Sequence, residues 1–192
     1  MDVFDALSRS RAELDRRVAA VGAGQWELPT PCSEWDVRAL AQHCIGGNRM
    51  SVLLLGGATP EEAIAQILAY RPGDSPEEVL GNFRSSADAQ DAAFRAPGAL
   101  ARVCHHPVGE IPGARLLGFR IGDMTLHAWD LARALGVDES LDGEVVEYIY
   151  QSMLPMESFI ATTGRFGSGP SGEVPTDAPT QLRLLDLTGR RP

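Results

Sequence analysis

Asp123 and His127 stand four residues apart in the segment Arg120-Ile121-Gly122-Asp123-Met124-Thr125-Leu126-His127-Ala128-Trp129-Asp130-Leu131-Ala132-Arg133-Ala134-Leu135-Gly136. The segment has good helix formers, no proline and a glycine stop, so it reads as one helix. A helix places residues four apart on one face, one turn from each other. A carboxylate and an imidazole so placed can hold one divalent cation. They can equally hold each other, through a hydrogen bond that fixes the imidazole tautomer. A third ligand from a distant helix decides between the two, and His43, in the middle of an earlier helical stretch, is the candidate. Two histidines and a carboxylate form a recurring ligand set that leaves coordination positions open for water or substrate. Asn48 and Arg49 follow a Gly46-Gly47 pair on that earlier stretch, and Arg120 precedes Asp123 by three residues. Arg49 or Arg120 could grip the carboxylate of a small substrate, with Asn48 orienting it.

These groups need elements to position them. Val3, Leu7, Leu14, Val18 and Val21 make one stripe, which predicts a first helix from residue 2 to about 20. Pro29 and Pro31 forbid a continuous helix through Trp26–Asp36. Ser33 is the expected N-cap of a second helix, with Asp36 three residues on, and Trp26 and Trp35 are expected over the helix ends. That helix runs from about Glu34 to Leu55, with His43 on the edge of its apolar face. Two glycines in mid-helix cost roughly 1 kcal/mol each against alanine, so they point to close packing, room for a ligand or a bend.

A short helix over Glu61–Ala69 precedes a third long one. Ser75-Pro76-Glu77-Glu78 is a capping box for that helix, which continues to about Phe94. Residues 100 to 113 alternate briefly and predict a hairpin or extended excursion. His105 and His106 lie there as neighbours on extended chain, so at most one could face the site. The Asp123 helix starts near Ala114 or Leu116. Asp142 caps a further helix through Val145, Ile149, Leu154 and Phe159, which Pro155 should kink or interrupt. From Thr163 onward the chain is rich in Gly, Pro and Ser, until a last amphipathic piece at Gln181–Leu187. The expected fold is all-α: a four-helix bundle in a single domain over residues 1–192. A short extended excursion precedes the fourth main helix, and an irregular C-terminal tail, 163–192, packs on or near the bundle.

The formal charge is -9, and all 17 basic residues are arginine. That balance repels a phosphate backbone, and no basic run offsets it, so nucleic acid is not an expected partner. The N-terminus is acidic where a signal peptide would be basic, and no apolar stretch approaches a membrane span. The expectation is a soluble cytoplasmic protein without a membrane partner. Cys32, Cys44 and Cys104 are too scattered for a disulfide framework, and Cys44 reads as a small buried hydrophobe.

Several pieces together carry a family resemblance. They are Pro29-Thr30-Pro31-Cys32-Ser33-Glu34-Trp35-Asp36-Val37-Arg38, His43 with Gly46-Gly47-Asn48, Pro97-Gly98-Ala99-Leu100, Gly109-Glu110-Ile111-Pro112-Gly113, the Asp123–Gly136 segment and Gly164-Arg165-Phe166-Gly167. The chain resembles the DinB-like helical bundles. Within them it is similar to the actinobacterial metal-binding group related to the N-terminal domain of mycothiol-dependent maleylpyruvate isomerase. The resemblance implies a metal held by His43, Asp123 and His127, and pairing as a homodimer. In the isomerase the acidic ligand is Glu; here Asp123 is one methylene shorter. The resemblance does not extend to the isomerase's separate C-terminal domain.

Three functions follow as expectations. The first is a metal-dependent transferase or isomerase that presents a low-molecular-weight thiol, such as mycothiol, to a small electrophile. The second is a non-enzymatic metal-binding or stress-related bundle. The third is a hydrolase using metal-activated water, with Glu110 or His105 as the available base. Zinc is the expected metal, and the mixed nitrogen and oxygen ligands also admit nickel, iron or manganese.

Overall fold

The chain enters its first helix, α1 (Val3–Ala19), through Asp2, whose carboxylate accepts a hydrogen bond from the Phe4 amide at 2.9 Å. The computed structural model describes residues 1–163, 166 and 169–192. Leu7, Leu14 and Val18 of the α1 stripe are buried.

The second helix, α2 (Val37–Leu55), starts later than the expected Glu34, and its cap is Asp36 rather than Ser33. Asp36 accepts from the Ala39 amide at 2.7 Å. The reason lies in the preceding loop. Pro29 and Asp36 form an isolated β-bridge, and the amides of Val37 and Arg38 donate back to the carbonyls of Leu28 and Trp26. Those bonds and the bridge close Pro29–Asp36 into a loop with a turn at Ser33-Glu34, so helical backbone begins only after Asp36 and Ser33 has no helical amide to cap.

α3 (Pro60–Ala69) and α4 (Pro76–Arg95) both begin with complete capping boxes, Thr59 with Glu62 and Ser75 with Glu78. After α4 a short 3-10 turn leads into an antiparallel hairpin, β1 (Val103–His106) and β2 (Gly109–Pro112), which pairs Cys104 with Ile111. Both of those side chains face inward and are buried. Gly113 then opens α5 (Gly113–Leu135), where any Cβ would overlap the Ala99 carbonyl. Gly136 closes α5 in the left-handed conformation, φ 65°.

α1, α2, α4 and α5 form the bundle: α5 packs on α1 and α2, α4 packs on α2 and α1, and α3 lies against α2. The arrangement is all-α with a short hairpin before the fourth long helix. α6 (Gly143–Met153) is capped by Asp142. Pro155 falls in a 3-10 turn, Leu154–Met156, and α7 (Glu157–Thr163) follows, so the proline interrupts the predicted single helix. α8 (Thr180–Leu187) packs back on α6. Of the Gly164-Arg165-Phe166-Gly167 motif only Phe166 lies among the described residues, partly buried against the core. No helix among the described residues is long and apolar enough to cross a membrane.

Candidate metal centre

The packing of α2 on α5 brings His43 against Asp123 and His127. His43 Nε2 lies 3.4 Å from Asp123 Oδ1, and His127 Nε2 lies 3.3 Å from the same oxygen. The two imidazole rings are nearly perpendicular, 82°, with centroids 5.0 Å apart. All three ligand atoms fall within 4.8 Å of one another. Separations of 3.3 and 3.4 Å are longer than the roughly 2.9 Å of a good N–H···O bond. They match the edge of a tetrahedron around a cation with bonds of about 2.0–2.1 Å, which is close to 3.3 Å. The residues therefore fit a divalent cation, and they are a potential metal-coordinating cluster.

Each ligand is held from behind. Nδ1 of His127 donates to Asp130 Oδ2 at 2.8 Å, which leaves the Nε2 lone pair aimed at the cluster. Asp130 is wholly buried, and Arg190 grips both of its oxygens, at 3.0 and 2.6 Å. Cys32 Sγ approaches the same carboxylate at 3.5 Å. Cys32, His127 and Asp130 make a second potential ligand group on the other nitrogen of His127. Arg190 already neutralises that carboxylate, so the group serves better as support for His127.

Asp123 is oriented by Arg120, whose Nη1 donates to Oδ2 at 2.6 Å and so leaves Oδ1 toward the histidines. The same guanidinium donates to Gln90 Oε1 at 3.0 Å and to Asn48 Oδ1 at 2.9 Å, and Asn48 donates on to Ser86 Oγ at 3.0 Å. Gly47 makes room for this guanidinium. A Cβ there would stand 2.6 Å from Arg120 Cζ, a separation that forces the group to move. Gly47→Ala is expected to cost about 1–3 kcal/mol by overpacking and to weaken cation affinity as Arg120 leaves Asp123. Urea denaturation and a metal titration of the same variant check both effects.

The structure thus gathers His43, Asp123 and His127, sets Arg120 and Asn48 against them, and places Arg49, His105 and His106 elsewhere. Asn48 and Arg120 are buried behind Asp123, joined to each other by a hydrogen bond of 2.9 Å. The Arg49 guanidinium lies over the Tyr70 ring, 3.8 Å from its centroid, in a different recess. His105 pairs loosely with Glu110 at 3.5 Å, and the His106 ring meets Phe119; both stay on the hairpin and outside the cluster. Burial pushes the Cys44 thiol up to about 12, which suits a small hydrophobe. Trp35 lies beside the site, its ring 4.4 Å from that of His43. The side chains of His43 and Asp123 are 36% and 27% exposed against 8% for His127, so the cluster is open to solvent at His43 and Asp123. Asp130, Gln90 and Arg190 were not among the expected site residues. The readable signal for Asp130 was a charged residue three after His127 in an apolar run.

The electrostatics follow from this crowding. Burial acts to raise Asp123, but the charges of His127, Arg120 and His43 outweigh it and hold the carboxyl well below its ordinary range. Burial acts to lower His127, but Asp123, with hydrogen bonds to Asp123 and Asp130, lifts it well above an ordinary histidine. Asp123 thus adds stability above its unfolded pKa of about 3.9 and loses it as pH falls through the depressed folded value. His127 adds stability that is complete below about 6.5 and is lost as pH rises through its raised folded value. Metal-free protein is expected to have its highest urea midpoint between about pH 4 and 6.5, and to decline above neutrality. A saturating divalent cation needs neutral imidazoles, so it should remove the alkaline decline. Urea midpoints across pH, with and without the cation, measure this.

Four helices around one core, a hairpin before the last of them, and a cluster of two histidines and a carboxylate between the second and fourth define a DinB-like bundle. The chain belongs to the family described as Mycothiol maleylpyruvate isomerase N-terminal domain, which residues 7–132 match. Uncharacterized proteins from two strains of Mycobacterium tuberculosis are each 34% identical to it over 145 residues, covering 76% of this chain and 74% of theirs. Crystal structures of mycothiol-dependent maleylpyruvate isomerase and of one of its mutants share the fold, with TM-scores of 0.62 and 0.64 at 18% identity. Each alignment covers 88% of this chain and 74% of the isomerase chain.

Proposed function

We propose that His43, Asp123 and His127 bind a divalent cation, zinc first, and that the protein is a thiol transferase or isomerase. Its cosubstrate would be a low-molecular-weight thiol such as mycothiol, and its substrate a small electrophile. The observation that carries this reading is the separation of 3.3 and 3.4 Å between ligand atoms from two helices, which suits a shared tetrahedral cation better than direct hydrogen bonds. A cation bound there supplies Lewis acidity, which lowers the pKa of a coordinated thiol. The chain's own residues do the rest. Asp130 and Arg190 fix the tautomer and direction of His127, Arg120 and Asn48 fix Asp123, and the exposed edge by His43 and Trp35 leaves a side open to a thiol. The thiol and the reaction class come from the names of the matching family and its solved relatives. We also propose a cytoplasmic homodimer, which light scattering would measure.

The test begins with metal analysis of protein purified without added metal. Thiol-dependent consumption of an electrophile is then followed with and without mycothiol, with Asp123→Ala as the blank. Turnover that requires both thiol and metal supports the proposal. Hydrolysis in thiol-free buffer would assign the metal-activated water reading instead. Absence of turnover across several thiols, with metal loaded, would leave a non-enzymatic metal-binding bundle.

A further inference from the structure

A recess of about 160 Å³ lies between α2, α4 and the end of α3, away from the three cluster residues. Its walls include Arg49, Tyr70, Asn82 and Ser85, with Val52 and Leu53 as the apolar side. Arg49 is half-buried, and its Nε is shielded from solvent with no hydrogen-bond partner. Arg84 and Arg120 each hold a carboxylate, whereas among the described residues no hydrogen bond or ion pair engages the Arg49 side chain. Tyr70 covers the face of the guanidinium and leaves its N–H edge free. Among the described residues no acidic side chain lines the recess. A half-buried guanidinium whose Nε is shielded and has no counter-charge loses part of its hydration, which a bound anion offsets.

We propose that Arg49, with Tyr70, Asn82 and Ser85, forms a subsite for a short aliphatic carboxylate, separate from the metal centre. One guanidinium balances one negative charge, which selects a carboxylate over a phosphate dianion in a chain of net charge -9. Val52 and Leu53 offer the hydrocarbon stem an apolar wall, and the Ser85 hydroxyl, which is exposed, offers a donor beside the guanidinium. The volume of about 160 Å³ equals roughly five waters at about 30 Å³ each, which suits an acid of propionate size.

The subsite does not depend on the cation, so it is tested on metal-free full-length protein. Propionate and, separately, inorganic phosphate are titrated while the Arg49 Nε–H resonance is followed by NMR. A saturable shift with propionate, tighter than any with phosphate, is the expected result. Arg49→Gln should weaken propionate binding at least ~10-fold, and Ser85→Ala, at an exposed position, about 3-fold. Absence of saturation, tighter binding of phosphate, or unchanged propionate affinity in Ser85→Ala and Arg49→Gln would each overturn the proposal. Because His43→Ala should leave this binding intact, failure here and failure of the metal centre are read separately.

Discussion

His43→Ala protein is expected to keep its helical fold and to lose divalent-cation affinity by more than about 100-fold. Changes to residues that merely orient a metal ligand cost about 10–100-fold, and His43 would be a ligand itself. Its side chain is 36% exposed and lies at the edge of α2, so truncation leaves no large buried cavity. Unfolding of the metal-free variant should stay within about 0.5 kcal/mol of the parent. Competition against a chelating dye measures the affinity, and urea denaturation measures the stability. An affinity unchanged within a few-fold would show that the convergence of α2 and α5 holds no cation, and the functional reading would fall with it.

Asp130→Ala carries the other large effect, on stability and on binding together. Asp130 is fully buried, and its oxygens hold Arg190 and His127. Removing it strands the Arg190 guanidinium, which is only 12% exposed, and deprives His127 Nδ1 of its acceptor. Breaking a buried pair from one side costs about 3–5 kcal/mol. Loss of the carboxylate behind the histidine should lower cation affinity about 10–100-fold. Adding Arg190→Met should recover part of the stability, because the stranded charge is gone, but none of the affinity. Recovery of both would mean that Asp130 acts on the fold alone.

The bundle was readable because its signals are local. The capping box at Ser75, the stripe of α1 and the glycine after α5 each depend on residues within a turn or two. The pairing of Asp123 with His127 is local in the same sense, since helical pitch alone brings them together. His43 is 80 residues from Asp123, and spacing could name it only as a candidate, which the family resemblance then sharpened. Arg49 shows where adjacency misleads. Six residues past His43, it points about 120° away around α2 and lands in another recess. The start of α2 was misplaced because backbone bonds from Val37 and Arg38 to Leu28 and Trp26, with the bridge of Pro29 to Asp36, tie residues 29–36 into a closed loop, and no residue type advertises them. Arg190 could not be seen either: its partner is 60 residues earlier, and its neighbours give no periodic cue.

The clamp of Arg190 on Asp130 has a consequence for biosynthesis. During translation Asp130 is made 60 residues before the arginine that clamps it. At roughly 5–20 residues per second, that interval is about 3–12 seconds. The nascent chain therefore spends several seconds with the carboxylate behind His127 unclamped, and the bracing of that imidazole is complete only once Arg190 has been made.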